Sequence, residues 1–239
     1  MCGLSPEDWR IGSMIRRIIR AMSNSGRACW FPRSSVHRII AVVDVAGFGS
    51  RCRTNAQQVA VRRGLYRVVR RALERSGVGR SRYRLEDRGD GVLILVEPEV
   101  PKSAFVDSVP REMTSELAAH NDAHPVQERV RLRMALHAGE VLYDEHGVTG
   151  AALNLTFRLL DAAPVRDALR VASRKYALVT SNWFFEEVVR QSANVDPRDF
   201  APVAVRVKET ETTGWLYTEP VERASSEGQC VLCGCTHST

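Results

Sequence analysis

The longest apolar runs of the chain are only as long as a β-strand. Ile39–Val43 and Val92–Val96 consist of aliphatic residues, many of them β-branched, which is typical of strands buried on both faces. A membrane-spanning helix needs about 20 apolar residues, so no membrane association is expected. Arg16, Arg17 and Arg20 interrupt the N-terminal segment where a signal peptide would be apolar. We therefore expect a cytoplasmic protein.

Amphipathic helices alternate with these strands. Asn55–Ser76 carries apolar residues at helical spacing with arginines between them, which predicts a helix with one buried face. The other elements expected from the sequence, in chain order, are strands Tyr83–Glu86 and Gly91–Val96, helix Pro110–His120, strand Val130–Ala138 continuing as another over Gly139–Tyr143, helix Gly150–Leu160, strand Tyr176–Thr180, helix Asn182–Arg190, and a hairpin of Val203–Val207 with Gly214–Tyr217. This order predicts an α+β sheet with helices on its faces.

The chain of 239 residues is long enough to form a core without disulfides. We expect a basic N-terminal extension over residues 1–37, one folded domain over 38–218 and a flexible, cysteine-containing tail over 219–239. Two interpretations of that tail remain open, a zinc site or a solvated segment, and both concern Cys230, Cys233, Cys235 and His237.

Basic residues outnumber acidic ones, with 34 Lys+Arg against 28 Asp+Glu. Only Lys102, Lys175 and Lys208 are lysines, and an arginine bias suits phosphate or nucleic-acid ligands. The bias is equally typical of a GC-rich genome, and no run of five basic residues is present. Nucleic acid is therefore not favoured as a partner.

Two acidic residues stand beside the predicted strands. Asp44 follows Ile39–Val43, and Asp90 lies in a Gly-Asp-Gly turn. Carboxylates at strand ends are suitable ligands for a hard divalent cation such as Mg²⁺, and Gly47 would let the backbone approach a phosphate closely. The alternative is that Asp44 caps a turn and Asp90 is an ordinary hairpin residue.

Asn154 and Arg158 form a second pair of polar residues. Residues four apart share one face of a helix, so an amide and a guanidinium would project together. Such a pair is suited to orienting a ribose and neutralising charge on a phosphoryl group. The alternative is the polar face of a surface helix. The apolar stripe expected beside the pair consists of Val148, Ala151, Ala152, Leu155 and Leu159.

The order of these motifs resembles the catalytic domain of class III nucleotide cyclases. The resemblance covers about residues 37–218 and rests on Asp44-Val-Ala-Gly-Phe48, Arg88-Gly-Asp90-Gly91, Arg133-Met-Ala-Leu-His-Ala-Gly139 and Gly150-x-x-x-Asn154-x-x-x-Arg158. It implies an α+β fold with a ferredoxin-like βαββαβ core, a mainly antiparallel sheet and added C-terminal strands and a helix. It also implies a head-to-tail homodimer with composite active sites.

The resemblance further implies a role for each matching residue. Two divalent metal ions, Mg²⁺ or Mn²⁺, would be held by Asp44 and Asp90, with the Val45 carbonyl as an extra ligand. From the other protomer, Asn154 would orient the ribose and Arg158 would stabilise the transition state. The expected phosphate-binding residues are Gly47, Phe48, Arg133 and Lys208.

The substrate expected from the resemblance is a nucleoside triphosphate, cyclised to a 3′,5′-cyclic nucleotide with release of pyrophosphate. Glu86 matches an acid that reads guanine, but Gly147, at the second base-reading position, offers no side chain. The short chain also resembles stand-alone bacterial pyrimidine cyclases of antiphage defence, which act through a downstream effector. A pyrimidine triphosphate is therefore expected. UTP is expected ahead of CTP, because its N3–H could donate to Glu86 or to a backbone carbonyl, and cyclic UMP would be the messenger. The alternatives are a guanylate cyclase and a catalytically silent nucleotide-sensing module.

Overall fold

A computed structural model describes residues 34–170 and 174–217 of the chain. Most of the expected N-terminal extension and all of the expected tail lie outside these residues, so both remain predictions, as does the zinc alternative. The strands are β1 (Val36–Val45), β2 (Tyr83–Asp87), β3 (Gly91–Val96), β4 (Leu132–Asp144), β5 (Gly147–Thr149), β6 (Tyr176–Ser181), β7 (Phe200–Val207) and β8 (Thr210–Tyr217).

The helices lie between these strands. A π-helical turn, Phe185–Val189, follows directly after the last α-helix, which ends at Phe184. The α-helices are α1 (Asn55–Arg75), α2 (Ser108–Asp122), α3 (Ala151–Leu160), α4 (Ala163–Ala168) and α5 (Asn182–Phe184). No helix in the described ranges is both long and apolar enough to cross a membrane.

One sheet joins all the described strands. Its order is β2-β3-β1-β4-β6-β8-β7, with β5 paired to the end of β4. The β4–β6 pairing is parallel and the other pairings are antiparallel. The first four strands, with α1 and α2, give the βαββαβ order of a ferredoxin-like core. The predicted α+β fold class is confirmed.

Helices cover both faces of the sheet. Ile39, Ala41 and Val43 pack in a core with α1 and α2, whereas Ile40 and Val42 pack in a second core with α3 and α4. Successive side chains of a strand point to opposite faces, and here both faces are buried. This is why β1 is apolar without alternation, and why Asp44, two residues beyond Val42, belongs to the second face.

The structure differs from the sequence predictions around β4. Two strands were predicted there, but β4 is a single strand. Gly139 lies within this strand and does not interrupt it. A Cβ added at Gly139 would lie 2.7 Å from the Cβ of Ala152, so this glycine permits close packing of α3 on the strand. The short β5 and α4 were not predicted.

The apolar stripe predicted for α3 is also wrong in part. Ala151 is exposed, whereas Val148 of β5 and Ala152 and Leu155 of the helix are partly buried against the core that contains Leu159. The buried positions of the helix are Leu153, Thr156, Leu159 and Leu160. The inward face of α3 thus includes the predicted Ala152, Leu155 and Leu159, together with Leu153, Thr156 and Leu160.

Candidate active site

Asp44 and the turn that carries Asp90 meet at the end of β1. Asp44 pairs in register with Gly91 of β3 and with Arg133 of β4. The Val45 amide donates a hydrogen bond to the Asp90 carbonyl at 3.0 Å. The Asp90 side chain is exposed. The two carboxylates that the sequence analysis combined are therefore brought to one edge of the molecule.

Asp44 forms a bidentate ion pair with Arg133. The Arg133 Nε lies 2.9 Å from Asp44 Oδ1, and its Nη2 contacts Oδ2. Each side chain is only 14% exposed. Burial raises the pKa of Asp44, Arg133 opposes this effect, and the nearby Asp90 and Asp161 carboxylates add to the increase. Asp161, which follows α3, had no signal in the sequence that linked it to this edge.

The turn after β1 presents Gly47 at its exposed tip. Gly47 has a φ of +68°, and an added Cβ would meet no atom within 4 Å. Phe48 is partly buried against the α1–α2 core, and its amide donates to the Val45 carbonyl at 3.3 Å. The Ala46 amide is held by the Arg131 carbonyl at 2.8 Å. The turn is anchored at its base and open at its tip.

Two arginines that the sequence analysis did not single out hold the acid-bearing turns. Arg53 donates to the carbonyls of Gly47, Gln127 and Arg129 at 2.8, 2.9 and 3.0 Å. Arg62 of α1 donates to the Asp87 carboxylate and the Gly89 carbonyl, next to Asp90. These arginines bond backbone carbonyls or residues far away in the sequence, so the spacing of motifs could not have identified them.

Arg158 and Lys208 lie at a different place, where α3 meets the β7–β8 turn. The Arg158 Nη2 lies 3.2 Å from Glu209 Oε1, and Lys208 adjoins Glu209 in that turn. The Arg158 Nε is buried and has no hydrogen-bond partner. Asn154, one helical turn before Arg158, is exposed. Among the described residues, no hydrogen bond or ion pair joins this group to Asp44 and Arg133.

Glu86 lies on β2 with its side chain 12% exposed. The Arg88 Nη2 donates to its Oε2 at 2.9 Å. Arg84 Nε lies 3.1 Å from Oε1, but the geometry is not that of a hydrogen bond, and Oε1 remains without a hydrogen-bond partner.

Gly147 begins β5 and has a φ of +142° with open space beside its Cα. The Asp144 Oδ1 accepts from the Gly147 amide at 2.9 Å, which fixes this turn. Tyr143, paired with Val148 beside Gly147, lies under the Arg84 guanidinium at 5.9 Å from Cζ to the ring centroid. Arg84 thus contacts both Glu86 and Tyr143, and it links the Glu86 side chain to the turn that carries Gly147.

The residues at the Asp44 edge fit a divalent cation. Two carboxylates and the Val45 carbonyl form an oxygen-only donor set, which suits Mg²⁺ or Mn²⁺. No group of three or more His, Cys, Asp or Glu side chains in the described ranges is placed to hold a metal. A Mg²⁺ ion does not require one, since it is usually held by one or two carboxylates, waters and substrate phosphates.

The sequence matches no protein-family model, and no curated protein matches it. The structure does match solved proteins. It superposes on the guanylyl cyclase Cya2 with a TM-score of 0.54 at 18% identity, covering 79% of this chain and 96% of that one. An adenylate/guanylate cyclase/hydrolase from Silicibacter pomeroyi gives 0.54 at 17% identity, covering 77% and 97%. The fold is that of a nucleotide cyclase domain.

A bacterial light-regulated adenylyl cyclase is a further match, with a TM-score of 0.58 at 14% identity, covering 90% of this chain and 66% of that one. Because these sequence identities are low, the similarity establishes the fold and not the activity.

Proposed function

We propose that this protein is a nucleotide cyclase that converts a nucleoside triphosphate into a 3′,5′-cyclic nucleotide and pyrophosphate. The observation that supports this most is the meeting of Asp44, Asp90 and Arg133 at the end of β1 within a cyclase fold. In the reaction the ribose 3′-oxygen bonds to the α-phosphorus, the bond to pyrophosphate breaks, and the 3′-hydroxyl proton is lost to solvent.

Asp44, Asp90 and the Val45 carbonyl would hold the two divalent ions. Bound there, the ions would supply positive charge to the triphosphate and lower the proton affinity of the 3′-hydroxyl. Arg133 opposes the rise in the pKa of Asp44 that burial causes. Its Nε and Nη2 bond Asp44 in this structure, and its remaining N–H groups are the donors that would bind a phosphate oxygen. The exposed turn at Gly47 and Phe48 lets a phosphate approach backbone amides.

Asn154, Arg158 and Lys208 would complete the site from the partner of a homodimer. Among the described residues, no hydrogen bond or ion pair joins them to the Asp44–Arg133 pair, which supports this arrangement. The buried, unpartnered Arg158 Nε supports it further, because a buried donor without a partner is costly unless a ligand satisfies it. Asn154 would orient the ribose, Lys208 would bind phosphate, and Arg158 would neutralise charge that develops on the transferring phosphoryl group.

The base proposed for the substrate is uracil. Gly147 has a left-handed φ, a conformation that side chains rarely adopt, so the local backbone favours the absence of a base-reading side chain there. Glu86 Oε1 accepts no hydrogen bond, although Arg84 Nε lies 3.1 Å away, and it would be the acceptor for the uracil N3–H, which cytosine lacks. GTP is the second candidate, since the same carboxylate could accept from guanine. A role for cyclic UMP in antiphage signalling through a downstream effector rests only on the resemblance.

The activity is tested with purified protein, Mg²⁺ or Mn²⁺ and each of the four ribonucleoside triphosphates, with products separated by chromatography. We expect a cyclic nucleotide from at least one substrate, and none from the Asp90→Ala variant. Nucleotide binding without any cyclic product would instead favour the alternative of a silent nucleotide-sensing module.

The base is tested by competition among equimolar ATP, GTP, CTP and UTP. We expect cyclic UMP as the main product. Predominant cyclic GMP would show that Glu86 outweighs the missing partner at Gly147, and the uracil proposal would be wrong while the cyclase proposal stood.

A further inference from the structure

The outward face of α1 is a shallow groove walled by arginines, which we call the arginine groove. It has a volume of about 610 Å³, and no acidic residue is among the described residues that line it, namely Val59, Arg62, Arg63, Tyr66, Arg67, Arg70 and Arg71. The opposite face of α1 is buried in the core, for example at Leu65, Val68 and Val69. The helical repeat thus gathers on one surface arginines that the linear sequence separates.

Three of these arginines have no carboxylate partner. Arg62 pairs with Asp87, and Arg71 lies 3.6 Å from Glu116. Within residues 34–170 and 174–217, no ion pair involves Arg63, Arg67 or Arg70. All three are exposed, and Arg70 only lies over the Tyr66 ring, at 5.7 Å. Their charge is available to a partner.

The spacing of the three arginines suits a chain of repeated anions. At ~1.5 Å rise per residue, Arg63 and Arg70 are separated by ~10 Å along the helix axis. Successive phosphates of a nucleic-acid strand are farther apart than the ~3.4 Å rise along a duplex axis, so a span of this length reaches two or three of them. Guanidinium groups bind phosphate oxygens through paired donors, and Tyr66 adds an aromatic ring of the kind that lines single-strand grooves.

We propose that the arginine groove binds the phosphodiester backbone of a nucleic-acid strand. The chain has no run of five basic residues, but α1 brings arginines that are separated in the sequence onto one surface, which gives the positive patch that such a run would supply. The proposal is independent of the cyclase proposal. α1 packs on the sheet face that carries Ile39 and Val43, whereas Asp44 belongs to the opposite face. Arg62 is the groove residue that contacts the turn carrying Asp90, and the variants below therefore leave Arg62 unchanged.

An anionic membrane and an acidic protein fit this surface less well. A membrane-surface helix inserts its apolar face into the lipid, but the apolar face of α1 is buried inside the protein. A protein interface has an apolar centre, and the groove offers only Val59, which is 49% exposed, and the half-buried Tyr66. Binding to the phosphodiester backbone of a nucleic acid requires neither an exposed apolar helix face nor an apolar interface centre.

The proposal is tested with the full chain by fluorescence anisotropy on labelled single-stranded DNA and RNA and on the matching duplexes, at increasing salt. Three phosphate contacts predict that log K falls against log salt with a slope of about −2 for single strands. The variant Arg63→Gln/Arg67→Gln/Arg70→Gln should lose at least about tenfold in affinity at low salt and most of this slope. Glutamine is a good helix former, and thermal melting will verify that the variant is folded.

The matched control removes the same amount of charge from arginines that have their own carboxylate partners. It combines Arg190→Gln, Arg198→Gln and Arg206→Gln, whose partners are Glu186, Asp196 and Glu211, and it should keep its affinity. An equal loss in the control would overturn the proposal in favour of net charge alone. Lack of binding to every oligonucleotide at low salt would also overturn the proposal. Binding to phosphatidylserine vesicles is measured as well, and the proposal would be wrong if the groove variant lost binding to these vesicles but not to the oligonucleotides.

Discussion

Asp44 and Asp90 share one proposed role but differ in their surroundings. Asp44 is 14% exposed and pairs with an equally buried Arg133, whereas Asp90 is exposed at the tip of a turn. Removing one member of a buried pair leaves the other charge without a partner, which costs more than removing an exposed charge. The same substitution at these two residues therefore has different consequences for folding.

We expect Asp44→Ala and Asp90→Ala both to abolish cyclisation, because each removes a proposed metal ligand. Asp44→Ala should also lower the free energy of unfolding by about 1–3 kcal/mol, since Arg133 loses its carboxylate. Asp90→Ala should change it by no more than ~0.5 kcal/mol. Urea denaturation and activity assays on both variants measure this. Turnover in either variant would refute the metal assignment, and equal destabilisation would refute the account of the ion pair.

His137 gives a residue-scale prediction for pH. Its Nδ1 lies 2.8 Å from Ser181 Oγ, and burial, with a smaller effect of His37, lowers the pKa of His137 to about 4. An unfolded histidine takes up a proton near pH ~6.5, so the unfolded state gains protons first as the pH falls. Stability should therefore decline between about pH 6.5 and 4, by up to about 3 kcal/mol.

The variant His137→Gln isolates this effect from the titration of other groups. Denaturation of both proteins at several pH values gives the difference in their free energies of unfolding. That difference should shift in favour of the variant as the pH falls through this window. A difference independent of pH would show that His137 does not titrate between the two states.

At the scale of elements, the packing of α3 on β4 determines where Asn154 and Arg158 lie. An added Cβ at Gly139 would approach the Ala152 Cβ to 2.7 Å, and that atom is fixed to the helix backbone. Neither element can relax without moving the other. The position of α3, and with it that of its two polar residues, therefore depends on a glycine in the opposite strand.

We expect Gly139→Ala to destabilise the protein by roughly 1–3 kcal/mol, as overpacking does. Gly49→Ala is the matched control, because Gly49 has no neighbour within 4 Å of an added Cβ and no left-handed φ. Thermal or urea unfolding compares the two variants. Should Gly139→Ala prove as stable as the control, the contact between α3 and β4 would be looser than the structure indicates.

At the scale of the whole molecule, the proposed site consists of two groups that no hydrogen bond or ion pair joins among the described residues. Asp44, Asp90 and Arg133 are at the end of β1, whereas Arg158 contacts Glu209 beside Lys208. A head-to-tail homodimer would bring the first group of one protomer to the second group of its partner. Asp90 and Asn154 are both exposed, so each can be replaced without disturbing the core.

Mixing Asp90→Ala with Asn154→Ala protein should therefore restore activity. Each variant alone should be inactive or nearly so, while a mixed dimer contains one intact site and should regain up to about a quarter of wild-type activity. Mass spectrometry of tagged protomers will verify exchange and dimerisation. No recovery despite proven exchange would contradict the composite site, and the cyclase activity would then have to arise within one chain.

The sequence determined the order of the elements and most of the candidate site. Aliphatic runs, turn glycines and helical spacing were sufficient to predict β1, α1, the β2–β3 hairpin and the α+β class, because these depend on local patterns. Asp44, Asp90, Asn154 and Arg158 were found by motif spacing, and their functional roles stay predictions. The continuity of β4 and the exposure of Ala151 were misjudged, because both depend on how α3 lies on the sheet.

The tertiary structure alone decided which distant groups face each other. Neither the ion pair of Asp44 with Arg133 nor the clamps formed by Arg53 and Arg62 could be read from spacing, since each joins residues far apart in the chain. The same holds for the arginine groove. Individual arginines are visible in the sequence, but burial of one face of α1 against the sheet is what leaves the others together on the surface.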